Sequence, residues 1–373
     1  MRSELSLPTN GTKDGALRKV EPPEVTFTAP ALPLQRVLFA SAEAYPFMKV
    51  GGLADVSSAL PKRLSELGLD VRLVIPAYRG LGGSPVLTID VPFGPITERV
   101  IVRRLQSLSA VDVLALDAPG WFDRELPYSY QDNDVMPFVL FSKAVTALAA
   151  QEEWRPNIIH CNDWHCGLVA QEARQGLHRQ ALASTGIVFT IHNITYQGPV
   201  GAATNQLIGL PEGGSLLERG IAFADRINTV SPRYMEEILT PALGAGLDGL
   251  LRARRGAARG ILNGVDYAEF SPGQDLWIDT RYNGDFIAGK SANKKVLQKL
   301  SNLESSPDRP VFGMVARLVS QKGISLLTSA VEQFVARGAQ VVVLGEGAPR
   351  YRRQLQSATR RYPGKRKLPS HFE

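Results

Sequence analysis

Three short polar segments hold residue types that could do chemistry. The first is Lys49-Val-Gly-Gly-Leu-Ala-Asp-Val56, the second His160-Cys-Asn-Asp-Trp-His-Cys166, and the third starts at His192-Asn193. In the first, a lysine and two bare glycines lie between a strand-like run and a helix-like run. Unpaired N–H groups at a helix start favour an anion, Gly51 and Gly52 let the backbone approach a ligand, and Lys49 adds a positive charge, so the loop suits a phosphate. Asp55 falls in the first helical turn, where the dipole favours a carboxylate that could also accept a sugar hydroxyl. A tight turn carrying a surface lysine is the plainer reading of the same residues, and the loop matches neither the dinucleotide nor the P-loop fingerprint. The second segment has the composition of a metal site but no familiar zinc spacing, which favours a structural turn. His192 and Asn193 again follow a strand, and three polar strand ends on one sheet edge point to a cleft.

The elements that must position these loops follow from the apolar pattern. "RVLFASAEA" from Arg36 has strand length, Val56, Leu60, Leu64 and Leu67 recur at helical spacing, Gly68 can end that helix, and "DVRLVIPAY" from Asp70 is the next strand. Further strand candidates begin at Val111, Asn157, Gly186, Arg226 and Arg259, with a helix-like stretch from Phe141. This alternation predicts an α/β fold with a mainly parallel sheet covered by helices on both faces. The pattern loosens over residues 266–308 and restarts with "PVFGMVARL" and "AQVVVLGEG". The expected organisation is a flexible leader over 1–34, an N-terminal domain over 35–270, a linker over 271–308 and part of a second α/β domain over 309–373.

Composition narrows the function classes. A chain of 373 residues exceeds one ordinary core, and 44% apolar with 21% charged residues is globular. No apolar run approaches the roughly 18 residues of a membrane span, and the leader lacks the apolar core of a secretory signal. Cys161 and Cys166 are too few for a disulfide scaffold and suit a reducing cytosol. The net charge of +6 leaves acidic partners open. The basic run from Arg350 to Lys367 lacks interleaved aromatics, however, and reads as a solvated face rather than a nucleic-acid site.

"KVGGLADV", "HCNDWHCGLVA", "TIHNITYQG", "NTVSPRYMEEI", "GILNGVDYAEFSP" and "ARLVSQKGISLL" stand in the order and spacing of the bacterial glycogen synthases and plant starch synthases, which this chain resembles from about Val37 to about Gly364. The resemblance implies a GT-B architecture of two Rossmann-like domains facing a cleft. It also implies transfer of glucose from ADP-glucose to the non-reducing end of an α-1,4-glucan with retention, in the cytoplasm, without metal, nucleic acid or membrane partners. Carried over by motif, Lys49, Gly51, Gly52 and Asp55 would meet the donor. His192 would lie against the donor glucose with Asn193 beside it, and Asn263 would be an active-site asparagine. Arg317 and Lys322 would neutralise the leaving diphosphate, and Asp163 and His165 would brace the cleft. The family's tyrosine after "YDR" falls at Tyr128 or Tyr130, and Glu218 stands where a lysine is common. The family's later segment, with its catalytic glutamate and Gly-rich loops, has no counterpart before residue 373. No glucose transfer is therefore expected from these residues alone, and the alternative is an inactive glucan-binding remnant.

If the second segment is a turn, the purified protein should carry no stoichiometric zinc and EDTA should leave its melting temperature unchanged. One zinc per chain by elemental analysis would overturn that reading.

Overall fold

Five short apolar runs build the centre of the main sheet because each is buried on both faces, as parallel strands covered by helices must be. The computed structural model describes residues 35–125, 127–128, 135–201, 204–205, 214–284, 286–361 and 366–367. The leader and Tyr130 lie outside them. The described chain divides into two compact units at Asn263/Gly264.

In the first unit, β1 (Arg36–Ala40), α1 (Gly52–Glu66) and β2 (Asp70–Pro76) form the expected βαβ unit. They are followed by β3 (Ser84–Phe93), β4 (Ile96–Arg104), β5 (Asp112–Asp117), α2 (Val135–Ala149), β6 (Ile158–Asn162), α3 (Gly167–Gln175) and β7 (Gly186–Ile191). The unit continues with α4 (Leu216–Phe223), β8 (Arg226–Thr229), α5 (Pro232–Ile238), α6 (Asp248–Ala253) and β9 (Ala258–Gly260). The sheet order is β3-β4-β5-β2-β1-β6-β7-β8-β9. All pairs from β5 to β9 are parallel, and β3 and β4 are antiparallel additions at one edge.

That hairpin was not legible as a helix-linked strand, yet β3 alternates exposed and buried residues over its second half, the mark of a one-faced strand. Phe93 pairs with Ile96 across a two-residue turn in which Gly94 has φ of 62°, a conformation that favours glycine. The hairpin helps cover α2, whose residues are buried almost all round. Helix α2 begins at Val135, six residues before the apolar run from Phe141 suggests.

Helix α1 forms as expected but buries a different stripe. Leu53, Ala54, Ser57, Ser58 and Pro61 face inward, Leu60 and Leu64 are half-buried, and Leu67 is exposed. Small residues win because the helix start approaches β1 closely: Ser57 Oγ donates to Ser41 Oγ at 2.8 Å, and Ser58 Oγ donates to the Ala54 and Tyr45 carbonyls. Gly68, with φ of 90°, turns the chain out of the helix.

The second unit contains α7 (Phe286–Leu300), β10 (Val311–Val315), α8 (Ile324–Ala336), β11 (Gln340–Leu344), α9 (Pro349–Arg361) and β12 (Arg366–Lys367), with the three strands parallel in the order β10-β11-β12. Its core holds Leu318, Ile324, Val331, Val341, Val343, Tyr351 and Leu355. Helix α7 lies inside the segment expected to be a linker. It is polar along most of its length, which hides it from an apolar-period search, but Gln298 donates to Gln340 Oε1 at 2.7 Å and ties it to β11.

Close packing makes a test of the first unit. A Cβ on Gly167 would stand 1.9 Å from the Leu216 carbonyl oxygen, so α3 and α4 can approach only through glycine. Gly167→Ala should cost about 1–3 kcal/mol of stability, read as a lower urea midpoint; a parent-like midpoint would mean that the two helices separate freely.

Candidate active site

The polar loops all leave the carboxyl ends of neighbouring parallel strands, the edge at which open α/β sheets take ligands. Residues 41–51 follow β1, Asp163 follows β6, His192 and Asn193 follow β7, and Ile261–Asn263 follows β9. Since adjacent strands lie about 4.8 Å apart, β1 and β7 place their loops roughly 10 Å from one another. Arg317 and Lys322 belong to the second unit, where they follow β10; Lys322 ends a 3-10 turn, Ser320–Lys322, that leads through Gly323 into α8. A Cβ on Gly345, just after β11, would stand 1.9 Å from the Ala316 carbonyl oxygen, so a bare glycine lets this turn pack against the "RLVSQKG" segment.

Lys49 is bound rather than mobile. Its Nζ donates to Asp55 Oδ1 at 2.7 Å and lies 5.4 Å from the Tyr45 ring centre. Both charges remain partly exposed. Gly51 has an extended backbone, φ −148°, so it is not needed for an unusual conformation. Its use is spatial: added Cβ atoms on Gly51 or Gly52 would meet nothing within 4 Å, which leaves open room beside the loop.

The unpaired N–H groups expected in this loop are partly taken by the protein itself. Glu43, 3% exposed, accepts from the Val50 N–H at 2.7 Å and the Gly51 N–H at 2.9 Å through Oε2. Its Oε1 accepts from the Tyr128 hydroxyl. Tyr128, one of the two candidates for the family's tyrosine, lies with its ring 5.1 Å from His165. Burial, and then the charge of Glu43, raise the Tyr128 hydroxyl pKa well above its usual value, so it stays a donor. The signal for Glu43 was present in the sequence as an acidic residue just beyond an apolar strand, in a position where an unpaired charge would be costly.

Asp163 performs the same task for the third loop. Its Oδ1 accepts from the His192 N–H at 2.8 Å and the Asn193 N–H at 3.2 Å, and it adopts a left-handed backbone, φ 57°, to do so. Burial raises its pKa to about 7, against the opposing pull of those two hydrogen bonds. His165 is 3% exposed among Trp164, Phe138 and Tyr128, and neither ring nitrogen has a hydrogen-bond partner among the described residues. Loss of hydration holds it neutral, with a pKa well below 6.5.

Asn162 is the second residue that motif reading passed over. Its Nδ2 donates to the Ala40 and His160 carbonyls at 3.1 and 3.3 Å, which fixes its Oδ1 as an acceptor facing His192 Nε2 at 3.0 Å. His192 therefore carries its proton on Nε2 and keeps Nδ1 as an acceptor. Its pKa is lowered to about 4 by burial, so the ring is neutral near pH 7. His160 points elsewhere, its Nε2 at 2.7 Å from Thr190 Oγ1, and loss of hydration lowers its pKa to about 3. Cys161 and Cys166 are both fully buried free thiols. No group of three or more His, Cys, Asp or Glu among the described residues is arranged to hold a metal ion.

Glu218 has a local explanation. It stands third in α4, where its N–H donates to Ser215 Oγ and its Oε2 accepts from the Ser215 N–H, a reciprocal cap of the helix start.

A mainly parallel sheet with polar loops at its carboxyl edge, followed by a second α/β unit carrying a cationic loop, fits the GT-B glycosyltransferase architecture that the sequence motifs imply. The sequence profile of the starch synthase catalytic domain matches residues 36–253, and the chain belongs to that family, the glycogen and starch synthases. It is 40% identical over 356 residues to a glycogen synthase of Thioalkalivibrio sulfidiphilus, covering 88% of this chain and 72% of that one. It is 36% identical over 356 residues to a glycogen synthase of Cellvibrio japonicus, covering 88% and 73%. Among solved structures, the catalytic domain of starch synthase IV from Arabidopsis thaliana, bound to ADP and acarbose, superposes with a TM-score of 0.84 at 29% identity, over 91% of this chain and 74% of that one. No helix among the described residues is long and apolar enough to cross a membrane.

The neutral histidines set a pH dependence. In the unfolded chain a histidine takes a proton near pH 6.5, whereas folded His192 and His160 resist protonation down to about 4 and about 3. The unfolded state then binds more protons below pH 6.5, so their contribution to stability is intact above that pH and falls as the pH drops toward 4. The melting temperature should fall between pH 6.5 and 4.5 by less in His160→Gln than in the parent. Equal falls would mean that His160 titrates normally in the fold.

Proposed function

We propose that the donor is ADP-glucose and the acceptor an α-1,4-glucan, with glucose added to the non-reducing end with retention of configuration. The observation that carries the proposal is the Lys49–Asp55 loop, with open space beside Gly51 and Gly52, one strand system away from a neutral His192 on the same sheet edge. Starch synthase IV was solved with ADP and acarbose, which supports an adenine nucleotide and a glucan-like partner here. We assign the cytoplasm as the place of action and no metal or other cofactor to the reaction.

In this reading Lys49 meets the donor's phosphates, while Asp55 holds the ammonium in place and accepts a sugar hydroxyl. Gly51 and Gly52 leave room for the glucose ring. Neutral His192 accepts a hydrogen bond at Nδ1 without adding charge, beside Asn193, and Asn263 supplies a further polar contact. Asp163 and His165 keep the histidine loop in place. Arg317 and Lys322 neutralise the negative charge that builds on the ADP oxygen as the glycosidic C–O bond breaks; stabilising charge that appears only in the transition state raises kcat.

The test is incorporation of labelled glucose into glycogen, run on the 373 residues and on a fusion that continues into the remaining segment of the Thioalkalivibrio relative. ADP-glucose should serve and UDP-glucose should serve poorly; no transfer from ADP-glucose by either protein would refute the proposal. Where transfer is measured, Arg317→Ala and Lys322→Ala should each lower kcat about a hundredfold with a smaller effect on acceptor KM. Lys49→Ala should weaken ADP-glucose binding about tenfold, since the donor's phosphates are charged in the ground state. Unchanged values would remove the residue concerned from the site.

A further inference from the structure

We infer that Glu43 is the positioning residue of the Lys49–Gly52 loop: its buried carboxyl group accepts the two successive amides that lead into α1 and sets the loop in the shape that meets the donor. Helix α1 starts at Gly52 with Gly51 as its cap residue, so Val50 and Gly51 lie just outside the helix and their amides have no partner within it. Their acceptor comes from Glu43, eight residues before Gly51. Glu43 Oε2 takes the N–H groups of Val50 at 2.7 Å and Gly51 at 2.9 Å. The cap position itself is bare, and a Cβ on Gly51 would point into the open space beside the loop.

Glu43 is held well enough to impose a shape. Its own N–H donates to Ser41 Oγ at 3.3 Å, and Ser41 Oγ donates to its carbonyl at 2.8 Å. Ser41 Oγ in turn accepts from Ser57 of α1, which joins the residue after β1 to that helix. The pair Ala44 and Met48 exchanges two backbone hydrogen bonds, at 3.0 and 2.9 Å, and this closes the chain so that residues 50 and 51 return to Glu43. The other carboxyl oxygen accepts from Tyr128, whose ring lies on His165 of the "DWH" turn. A single side chain thus ties the glycine loop after β1 to the turn after β6.

What matters in this arrangement is reach, not charge. A glutamine at position 43 can place its oxygen on the two amides and donate its NH₂ to Tyr128, whose hydroxyl then turns to accept. An aspartate keeps the charge but falls one methylene short. The inference rests on the donor-loop reading above only for what the loop meets, not for how the loop is held.

The test is amide hydrogen exchange over the 49–52 segment of the 373-residue chain, read alongside the melting curve of each variant. Exchange at Val50 and Gly51 should stay within about threefold of the parent in Glu43→Gln and become about tenfold faster or more in Glu43→Asp. The opposite order, with aspartate protected and glutamine not, would assign the role to charge and overturn the inference, as would equal protection in both. ADP-glucose affinity by calorimetry should follow the same order, parent-like in Glu43→Gln and about tenfold weaker in Glu43→Asp. If exchange follows the expected order while the affinities do not change, the loop is braced but is not a donor contact, and the positioning role falls. If neither the parent nor the fusion binds ADP-glucose, the donor reading fails and the exchange order alone decides whether Glu43 braces the loop.

Discussion

One buried carboxyl oxygen accepting two successive backbone N–H groups recurs at two strand ends, and the site depends on it. Glu43 does this for Val50 and Gly51, and Asp163 does it for His192 and Asn193. His192 and Asn193 leave β7 directly, while Val50 and Gly51 lead into α1, so these four amides have no partner in the sheet or the helix. Leaving them unsatisfied in a water-poor edge would cost about 1–3 kcal/mol each. A carboxyl group can serve two donors at once, and it fixes their direction as well as their energy. The acidic residues of this edge therefore divide into those that hold backbone, Glu43 and Asp163, and one that faces outward, Asp55 on Lys49.

The histidines follow from the same geometry. His160, His165 and His192 come from two adjacent strands and their ends, and all three have pKa values lowered by burial. They differ in what they touch. His160 bonds Thr190 beneath the sheet edge, His165 lies among aromatic rings with no polar partner among the described residues, and His192 is bound by Asn162. Composition made the seven-residue segment look like a metal site; alternation along β6 and the turn at Asp163 send its polar groups in separate directions.

Much of the fold was legible because the central strands are short apolar runs bounded by polar ends, and parallel burial erases any need for alternation. The loops beginning at Lys49, Asp163 and His192 were legible for the same reason, as polar residues placed where strands stop. What escaped has physical causes. The β3–β4 hairpin interrupts the strand–helix rhythm and announces itself only by a period of two. Helix α7 is mostly polar and is tied to its unit through Gln298, so it carries no strong apolar stripe. Helix α1 buries Ala54, Ser57 and Ser58, small residues that an apolar count overlooks, in preference to Leu67. Glu43 and Asn162 escaped because a bracing residue is defined by what it bonds, and the amides it bonds carry no residue type of their own.

The lock that Asn162 places on His192 has a consequence for recognition. An imidazole free to exchange tautomers can meet a hydroxyl as donor or acceptor and is indifferent to which way that hydroxyl points. Because the Asn162 amide is pinned by two carbonyls, the His192 ring has one polarity only, with Nε2–H committed inward and a lone pair at Nδ1. A group that meets Nδ1 must bring its own proton. The ring then works as a directional filter, accepting a hydroxyl and rejecting a carbonyl or an ether oxygen in the same place. It also cannot relay a proton from one nitrogen to the other without breaking the inner bond, which keeps the neutral ring out of proton traffic.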